Sequence, residues 1–365
     1  MKNWFKFPQV RLFVLVSLVA FIYRDSFTSR FFQDDRILMR LAQTTGVFTA
    51  IPHFPYRPIA IQVFYSLGNF LFGNNPVGYH LLLFFAFAGS LFFLFRIMKI
   101  LFREENKALS AVFFYALNIS LFAEFYWIAT SYFSLGALFF FGAIYFFLLQ
   151  GFVFVVLCLL MFLLALGSNE MAFVLPAIFS LCSWYLREGN RQKLAGFWLL
   201  DGLLLFFRVI FIGFPKVADY TLKFNFQVLG TLRWYLLRVF DLPEGIRNNP
   251  DSPVIYLLLA VFLILMAVNL YTYFRKRYDP RLFLLGLLWF LTAGLPFYFL
   301  PGHMSSYYLA LALPGITMIY ATAVGKSYKS YIILAVYLLL TIFGLDFLRQ
   351  THWIILKNTG PIGQF

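Results

Sequence analysis

Apolar residues fill this chain in long runs that are separated by short polar breaks. A helix of about 17 to 25 apolar residues is long enough to cross a hydrocarbon core of about 30 Å. Runs of this kind recur along the whole sequence, and they predict an all-α polytopic membrane protein with about eleven transmembrane helices. The predicted spans are 9–23, 77–101, 108–122, 131–149, 152–166, 171–186, 194–211, 254–274, 282–299, 307–325 and 330–347.

The apolar run from 131 to 166 is too long for one crossing. At 1.5 Å per residue, a single helix over this run would extend about 54 Å, well beyond the hydrocarbon core. Gln150 and Gly151 interrupt the run near its middle. We therefore predict two helices joined by a tight turn at this pair.

Two polar stretches, 24–76 and 212–253, are the longest connections between predicted spans. Because structureless loops of this length are uncommon, we expect each to contain helices. In the first, DDRILMRLAQ places Ile37, Leu38 and Leu41 on one helical face, and RPIAIQVFYSLGNFLFG follows a mostly apolar helical pattern. Both segments are typical of helices that lie in the membrane interface without crossing it.

Composition agrees with this pattern and predicts an orientation. The chain is 62% hydrophobic with a formal net charge of +14. If the N-terminus is cytoplasmic, the inner segments hold 16 of the 29 Lys and Arg residues, as the positive-inside rule requires. No continuous soluble basic face of the kind that binds nucleic acid is present in the pattern. We therefore expect 1–365 to form a single transmembrane domain with a retained first span, in which Cys158 and Cys182 pack as small apolar residues.

This orientation brings the scattered acidic residues to one face. Asp34, Asp35, Glu124 and Glu170 come from three separate loops, and all fall at the predicted outer face together with His303. A carboxylate among apolar residues at a membrane is costly unless it is paired, so such residues are candidates for function. The outer face is therefore where we expect a site.

The acidic candidates each allow two interpretations. Asp34 and Asp35 either cap the helix that follows them, or one of them is a general base, which needs a partly desolvated carboxylate with a raised pKa. Glu124, in FAEFYWIATSYFSL, has aromatic neighbours that form either an interfacial belt or a sugar platform. Asn169 and Glu170 either cap a turn between two spans or complete the polar floor of the site.

The candidate cations are Arg57, Arg208 and His303. Arg57, in PYRPIA, either contacts lipid headgroups or holds a phosphate through its planar guanidinium. Arg208 falls near the outer end of the seventh predicted span, where it can reach an anionic ligand, whereas Asp201 on the same helical face suits a structural contact. His303, in PGHMSSYYLALALPG, is either a surface residue or a ligand of the same site.

Five segments carry a family resemblance when they are taken in order: QDDRILMR, PYRPIAIQVFYSLGNFLFGNNPVGYHLLLFFAFAGSLFFLFR, AEFYWIATSYFSL, GSNEMAFVLP and LLFFRVIFIG. Together they resemble the membrane portion of the C-type integral-membrane glycosyltransferases, above all the transmembrane O-mannosyltransferase branch and its bacterial relatives. The resemblance covers about 31–215, and the remainder is similar only in its pattern of spans. No structural-zinc cluster, Walker loop or G-x-S-x-G motif accompanies these segments.

The resemblance implies an inverting transfer of a sugar from a polyprenyl phosphate carrier to an acceptor hydroxyl. The reaction would take place at the extracytoplasmic face of a bacterial inner membrane. By matching position, Asp34 and Asp35 take the place of the family's acidic pair, with Asp34 the preferred base. Arg57 matches the Arg of the family's Arg-Pro motif.

The same resemblance contains one departure. Glu170 matches a Glu that follows Ser-Lys in the family, but the position of that Lys is occupied here by Asn169. The missing cation shifts the expected phosphate-binding role towards Arg57, Arg208 or His303.

The implied partners are a polyprenyl-phosphate sugar and a glycan, lipid or protein acceptor, with no nucleic acid. Because polyprenyl phosphate leaves as an anion, the site needs a base for the acceptor and cations for the phosphate. A divalent cation held by the carboxylates is left open. The rival interpretations are a transporter or flippase for a lipid-linked or anionic solute and a non-catalytic partner in envelope assembly. The expected substrate contacts are Tyr56, Glu124, Asn169, Glu170 and Tyr307.

Overall fold

The computed structural model describes residues 8–47, 49–50, 56–187, 191–213, 221–246, 252–275, 280–324 and 328–359, and these ranges contain helices and no strand. Their α-helices are α1 (Pro8–Ile22), α2 (Asp34–Thr44), α3 (Phe64–Phe72), α4 (Pro76–Phe102), α5 (Glu105–Leu117), α6 (Phe122–Tyr126), α7 (Ser131–Leu148), α8 (Phe152–Ser168), α9 (Leu175–Leu186), α10 (Arg191–Phe207), α11 (Gln227–Val239), α12 (Pro253–Arg275), α13 (Pro280–Tyr298), α14 (Leu313–Ala323), α15 (Tyr328–Thr351) and α16 (Trp353–Thr359). Lys2, Lys6 and parts of the basic segments 275–281 and 326–329 lie outside the described residues.

Six helical stretches of the described chain are long and apolar enough to cross a membrane: Pro76–Phe102, Ile128–Leu148, Arg191–Ile212, Pro253–Thr272, Pro280–Tyr298 and Ser330–Thr351. Glu105–Leu117 and Ile119–Tyr126 make a seventh if this pair, bent by 49°, counts as one span. Other apolar helices are shorter, at 10–17 residues. The all-helical, multi-pass character is as predicted, and six or seven helices meet the length requirement, against about eleven expected.

The tight turn predicted at Gln150 and Gly151 is confirmed. Helix α7 ends at Leu148 and α8 begins at Phe152. Gly151 has a φ of 113°, which glycine adopts without the steric cost that other residues meet. The ammonium of Lys193 donates to the Phe147 carbonyl at 2.7 Å, which satisfies one of the acceptors left free at the end of α7.

Short connections make successive helices antiparallel, so their ends gather at two opposite ends of the bundle. We name the end that carries 24–47, 56–75, 127–130 and Asn169 the loop end, and the opposite end the base end. At the base end, Arg11 of α1 donates to the Asn106 side chain of α5 at 2.8 Å.

The first and last long helices are joined at the loop end. Asp25, just after α1, accepts hydrogen bonds from Nε and Nη2 of Arg349 in α15, at 2.9 and 2.6 Å. The Tyr126 hydroxyl donates to the same carboxylate at 2.6 Å, and Arg349 also donates to the Ile22 carbonyl. We name this contact the Asp25–Arg349 clasp. It connects residues that are 324 positions apart, so it exists only in the folded bundle.

The bend between α5 and α6 lies at Asn118, and Asp241 stabilises it. The Asp241 carboxylate accepts from the Ile119 backbone N–H at 2.7 Å and from the Thr341 hydroxyl at 3.1 Å. Asn118 donates to the Val239 carbonyl. A helix break leaves backbone groups without intrahelical partners, and Asp241 supplies a partner for the Ile119 N–H. Burial raises the pKa of Asp241 to about 7.

Helices α13 and α14 pack backbone against backbone. A Cβ atom added to Gly286 would lie 2.4 Å from the carbonyl oxygen of Gly315, so the contact requires glycine. Small residues permit such close approach between membrane helices. In contrast, α10 and α12 direct large apolar side chains outward, as lipid-facing helices do; examples are Phe206, Phe207, Leu257 and Ile264.

The two helices predicted between residues 24 and 76 are present. Helix α2 covers DDRILMRLAQT and buries Leu38 against the bundle. The second begins as a π-helical turn at Ile59–Val63 and continues as α3. π-helical turns occur frequently at functional sites, and this turn follows directly after Arg57.

Candidate functional site

Asp35 is built into the loop end of the bundle. Its side chain lies at the start of α2 and is 0% exposed. The carboxylate accepts hydrogen bonds from the Phe32 backbone N–H at 2.8 Å and from the Tyr65 hydroxyl at 3.2 Å. It also accepts from the backbone N–H of Ala129. Burial nevertheless dominates and raises the pKa of Asp35 to about 7. Asp35 therefore joins α2, α3 and the turn before α7.

Asp34 is the accessible member of the acidic pair. Successive helical residues point about 100° apart, and Asp34 is half-buried where Asp35 is enclosed. Burial raises the pKa of Asp34 above its ordinary value. Of the two interpretations open for the pair, capping is not supported, because no side chain caps the start of α2 and the Phe32 N–H bound by Asp35 lies before the helix. Asp34 keeps a carboxylate that a bound molecule can reach.

Arg57 and Glu170 form a bidentate ion pair. Arg57 Nε donates to Glu170 Oε2 at 2.6 Å, and Nη2 donates to Oε1. The guanidinium also stacks 3.8 Å above the ring of Tyr132. Arg57 is 8% exposed, while the Glu170 side chain remains 28% exposed. Burial alone raises the pKa of Glu170, but the charge and hydrogen bonds of Arg57 outweigh it, so that this pKa is lowered.

Arg208 adds a second cation beside this pair. Its Nη1 donates to the Tyr56 carbonyl at 3.1 Å, and its charge acts on both Glu170 and Arg57. The side chain is 6% exposed, and within the described residues its Nε has no hydrogen-bond partner. Burial raises the pKa of Tyr56, and the charge of Arg208 opposes this shift. Arg57, Arg208 and Glu170, which we name the cation cluster, carry a net charge of +1 at neutral pH.

Asn169 has a structural role. Its side-chain oxygen accepts from the Met171 backbone N–H at 3.0 Å and caps the short helix that carries Glu170. Its side-chain nitrogen donates to the Tyr132 carbonyl at 3.3 Å. Asn169 is buried, so it orients Glu170 and Tyr132 without itself facing a ligand.

One short segment connects the acidic pair to the cation cluster. The backbone N–H of Ala129 donates a hydrogen bond to Asp35, and the ring of Tyr132 stacks against the guanidinium of Arg57. Residues three apart on a helix lie about 5 to 6 Å from each other. The turn Ile128–Thr130 and the start of α7 therefore link Asp35 to the cation cluster at the loop end.

The remaining predicted site residues have different positions. Glu124 is buried in the bent span, where the Ser134 hydroxyl donates to it at 3.0 Å, and within the described chain its Oε1 has no hydrogen-bond partner. The Tyr307 ring lies 5.2 Å from that of Phe133, whose ring in turn lies 4.6 Å from that of Tyr132. His303 is half-buried in the connection after α13, with its ring 5.6 Å from Tyr308.

Several polar contacts were missed by sequence reasoning. The Asp25–Arg349 clasp lies at the same end as the acidic pair. Glu244 accepts from the Ser306 backbone N–H at 2.8 Å and lies 3.2 Å from Nε2 of His352. These residues are isolated polar positions with no repeat or motif around them, so their only signal was their unusual charge in an apolar chain.

Among the residues that the structure describes, no group of three or more His, Cys, Asp and Glu side chains comes together as a metal site. Asp201, expected to make a structural contact, is buried in α10, and within the described ranges its Oδ1 has no hydrogen-bond partner. Comparison with known proteins gives no match to a protein-family model, to a curated protein or to a solved structure. The site must therefore be interpreted from its own geometry.

Proposed function

We propose that this protein is a glycosyltransferase that moves a sugar, with inversion, from a polyprenyl phosphate to an acceptor hydroxyl at the loop end. The observation that carries the proposal is the cation cluster at the loop end, where Arg57 and Arg208 are buried with Glu170 at the same end of the bundle as the half-buried carboxylate of Asp34, whose pKa is raised. Transfer to a hydroxyl needs a base on one side of the sugar and cations on the other.

Asp34 is the general base in this mechanism. Its carboxylate takes the proton of the acceptor hydroxyl as the acceptor oxygen forms a bond to the sugar carbon C1. The bond from C1 to the phosphate oxygen breaks, and its electron pair leaves with the polyprenyl phosphate. Asp35 holds the start of α2 through Phe32 and Tyr65, so it positions Asp34.

The cation cluster binds the phosphate of the donor. Glu170 already neutralises one of the two guanidinium groups, which leaves one positive charge for the ligand. Arg208 supplies this charge together with a hydrogen-bond donor, Nε, that lacks a partner in the described structure. Charge that develops on the departing phosphate is stabilised by cations that are in place beforehand, usually a large part of catalysis.

The proposal includes a finer topology. The shorter helices α1, α8, α9 and α14 cross the membrane with the longer ones, which gives eleven crossings when α5 and α6 count as one. The base end is cytoplasmic, since Arg11, Arg96, Lys99, Arg103 and Lys107 lie at or near it. The loop end is then extracytoplasmic, as in an inner-membrane enzyme of envelope assembly.

The test uses purified protein in detergent with polyprenyl phosphate hexoses and a membrane extract as the source of acceptor. We expect release of polyprenyl phosphate, and we expect Asp34→Asn to lower turnover by at least a hundredfold, since general-base catalysis contributes about 10² to 10⁴. Asp346→Asn, a change at an exposed carboxylate on α15, is the matched control. Turnover in Asp34→Asn equal to that of the control would refute the base assignment.

A transporter or flippase for an anionic lipid-linked solute is the second candidate, because Arg208 and Asp201 are buried on the same apolar helix. A detergent micelle has no two sides, so transport cannot be observed there while chemical transfer can. Absence of transfer in detergent, combined with donor movement across reconstituted vesicles, would favour the transporter.

A further inference from the structure

A basic cavity lies between α11 and the connection that follows α13. Its volume is about 660 Å³. The residues that line it include Lys223, Gln227, Arg233, Trp234 and Arg238, and none of the residues of the acidic pair or cation cluster is among them. It is therefore a separate site on the surface of the bundle.

The charge of this cavity is positive. Its described lining contains three cations, Lys223, Arg233 and Arg238, and no carboxylate. Clefts lined by one sign of charge concentrate ligands of the opposite sign. The carboxylate of Glu244, which accepts from the Ser306 backbone N–H and lies 3.2 Å from Nε2 of His352, is not among the residues that line the cavity.

The cavity wall is held in place by the fold. Arg238 donates two hydrogen bonds, to the carbonyls of Leu242 and Pro243 at 3.0 Å, and its guanidinium lies 4.6 Å from the centre of the Trp234 ring. The backbone N–H of Lys223 donates to the Phe299 carbonyl at 2.8 Å. The guanidinium of Arg238 and the backbone at Lys223 are therefore held in place by the fold.

The surface around the opening is apolar. Phe224 is 77% exposed, Phe226 is 90% exposed and Leu229 is 63% exposed, and all three alternate with cavity residues along the chain. Aromatic residues with Trp and basic side chains are typical of the region where lipid headgroups meet acyl chains. A soluble anion would contact only the cations of the cavity, whereas a lipid would contact both the cations and the apolar residues around the opening.

We propose that this cavity binds the phosphate headgroup of an anionic membrane lipid, with the lipid chains lying along the apolar residues at the start of α11. Lys223 and Arg233 contact the phosphate, and Trp234 marks the boundary between headgroup and chains. The proposal does not depend on sugar transfer, because binding is measured without turnover.

The experiment places the full chain in nanodiscs of phosphatidylcholine and titrates phosphatidylglycerol, with bound lipid read by native mass spectrometry. One Lys or Arg beside an anionic lipid contributes about 1 kcal/mol, or roughly fivefold in affinity. We expect the double variant Lys223→Ala/Arg233→Ala to raise Kd about 25-fold. Arg36→Ala/Arg40→Ala, which removes two exposed cations from α2 at the same end, is the matched control and should leave Kd unchanged.

A second arm separates a lipid from a free phosphate. Glycerol 3-phosphate is titrated into neutral nanodiscs, and we expect binding at least a hundredfold weaker than that of phosphatidylglycerol. Equal affinity for the two compounds would overturn the lipid assignment. Equal losses in both double variants would show general surface charge and overturn the site itself. Size-exclusion profiles and melting temperatures confirm that each variant is folded.

Discussion

The acidic residue Asp35 makes the stability of the folded protein depend on pH, and Asp35→Asn tests this directly. Asparagine has nearly the same shape as a protonated aspartic acid, and its oxygen can accept from the Phe32 N–H as the carboxylate does. The substitution therefore removes the titration while it keeps a hydrogen bond of the site. A change in stability at high pH then reports the buried charge.

The magnitude follows from the two pKa values. The ordinary pKa of Asp35 is 3.8, and burial raises it to about 7 in the folded chain. Between these values the folded state binds more protons than the unfolded state. The contribution of protonated Asp35 to the free energy of unfolding is therefore complete below pH 3.8 and falls as the pH rises towards 7. At 1.36 kcal/mol per pKa unit, the loss between about pH 5.0 and 7.5 is about 2.5 kcal/mol. That loss corresponds to roughly 5 °C in Tm.

The assay is thermal unfolding in detergent at these two pH values. As the pH rises, we expect the free energy of unfolding of Asp35→Asn to fall by about 2.5 kcal/mol less than that of the unsubstituted chain. Asp241, whose pKa is also about 7, makes a similar contribution from a distant position. Asp241→Asn should therefore show an equal change, and the double variant the sum of both. An Asp35→Asn protein with the full pH dependence of the original would refute the reasoning.

Two further substitutions test the cation cluster and the helix packing. Arg57→Lys keeps the charge but loses the bidentate contact to Glu170 and the stacking on Tyr132, so the Kd for polyprenyl phosphate should rise about tenfold or more. Arg36→Lys, at an exposed position, is the control. An unchanged Kd in Arg57→Lys would contradict phosphate binding by Arg57. Gly286→Ala places a Cβ against the Gly315 carbonyl and should destabilise the protein by about 1 to 3 kcal/mol in thermal unfolding. Gly196→Ala, where a Cβ meets no atom within 4 Å, should leave Tm unchanged or higher, and equal effects of the two changes would argue against the close packing.

Local pattern was sufficient to predict most helices. The turn at Gln150 and Gly151, the helix α2 and the helical second half of the first loop all follow from apolar spacing and helix length. The run 307–325 was expected to be one span, but in the structure a 3-10 turn at Ser306–Leu309 precedes a separate α14. Hydropathy does not distinguish one span from a 3-10 turn followed by a shorter helix, because each is a continuous apolar run in the sequence.

The candidate site, like the fold, was predictable where it depends on local sequence and not where it depends on residues remote in the chain. The expectation that several loops meet at one end follows from counting crossings, and the structure brings Arg57, Glu170 and Arg208 together there. Which aspartate is enclosed depends on Tyr65 and Ala129, which are remote in sequence. No periodicity relates such positions, so the sequence alone left the two aspartates equivalent except by family position.

The Asp25–Arg349 clasp has a consequence for biosynthesis. Arg349 lies near the end of α15, so it leaves the ribosome after nearly all other helices have been made. Until then the carboxylate of Asp25 and the hydroxyl of Tyr126 lack the guanidinium that binds both in the finished bundle. The helical hairpins can insert one after another during translation, but the contact between the segment after α1 and α15 forms only when this last long helix has been made. A nascent chain that stalls before this point would leave the loop end unfastened and open to quality-control proteases.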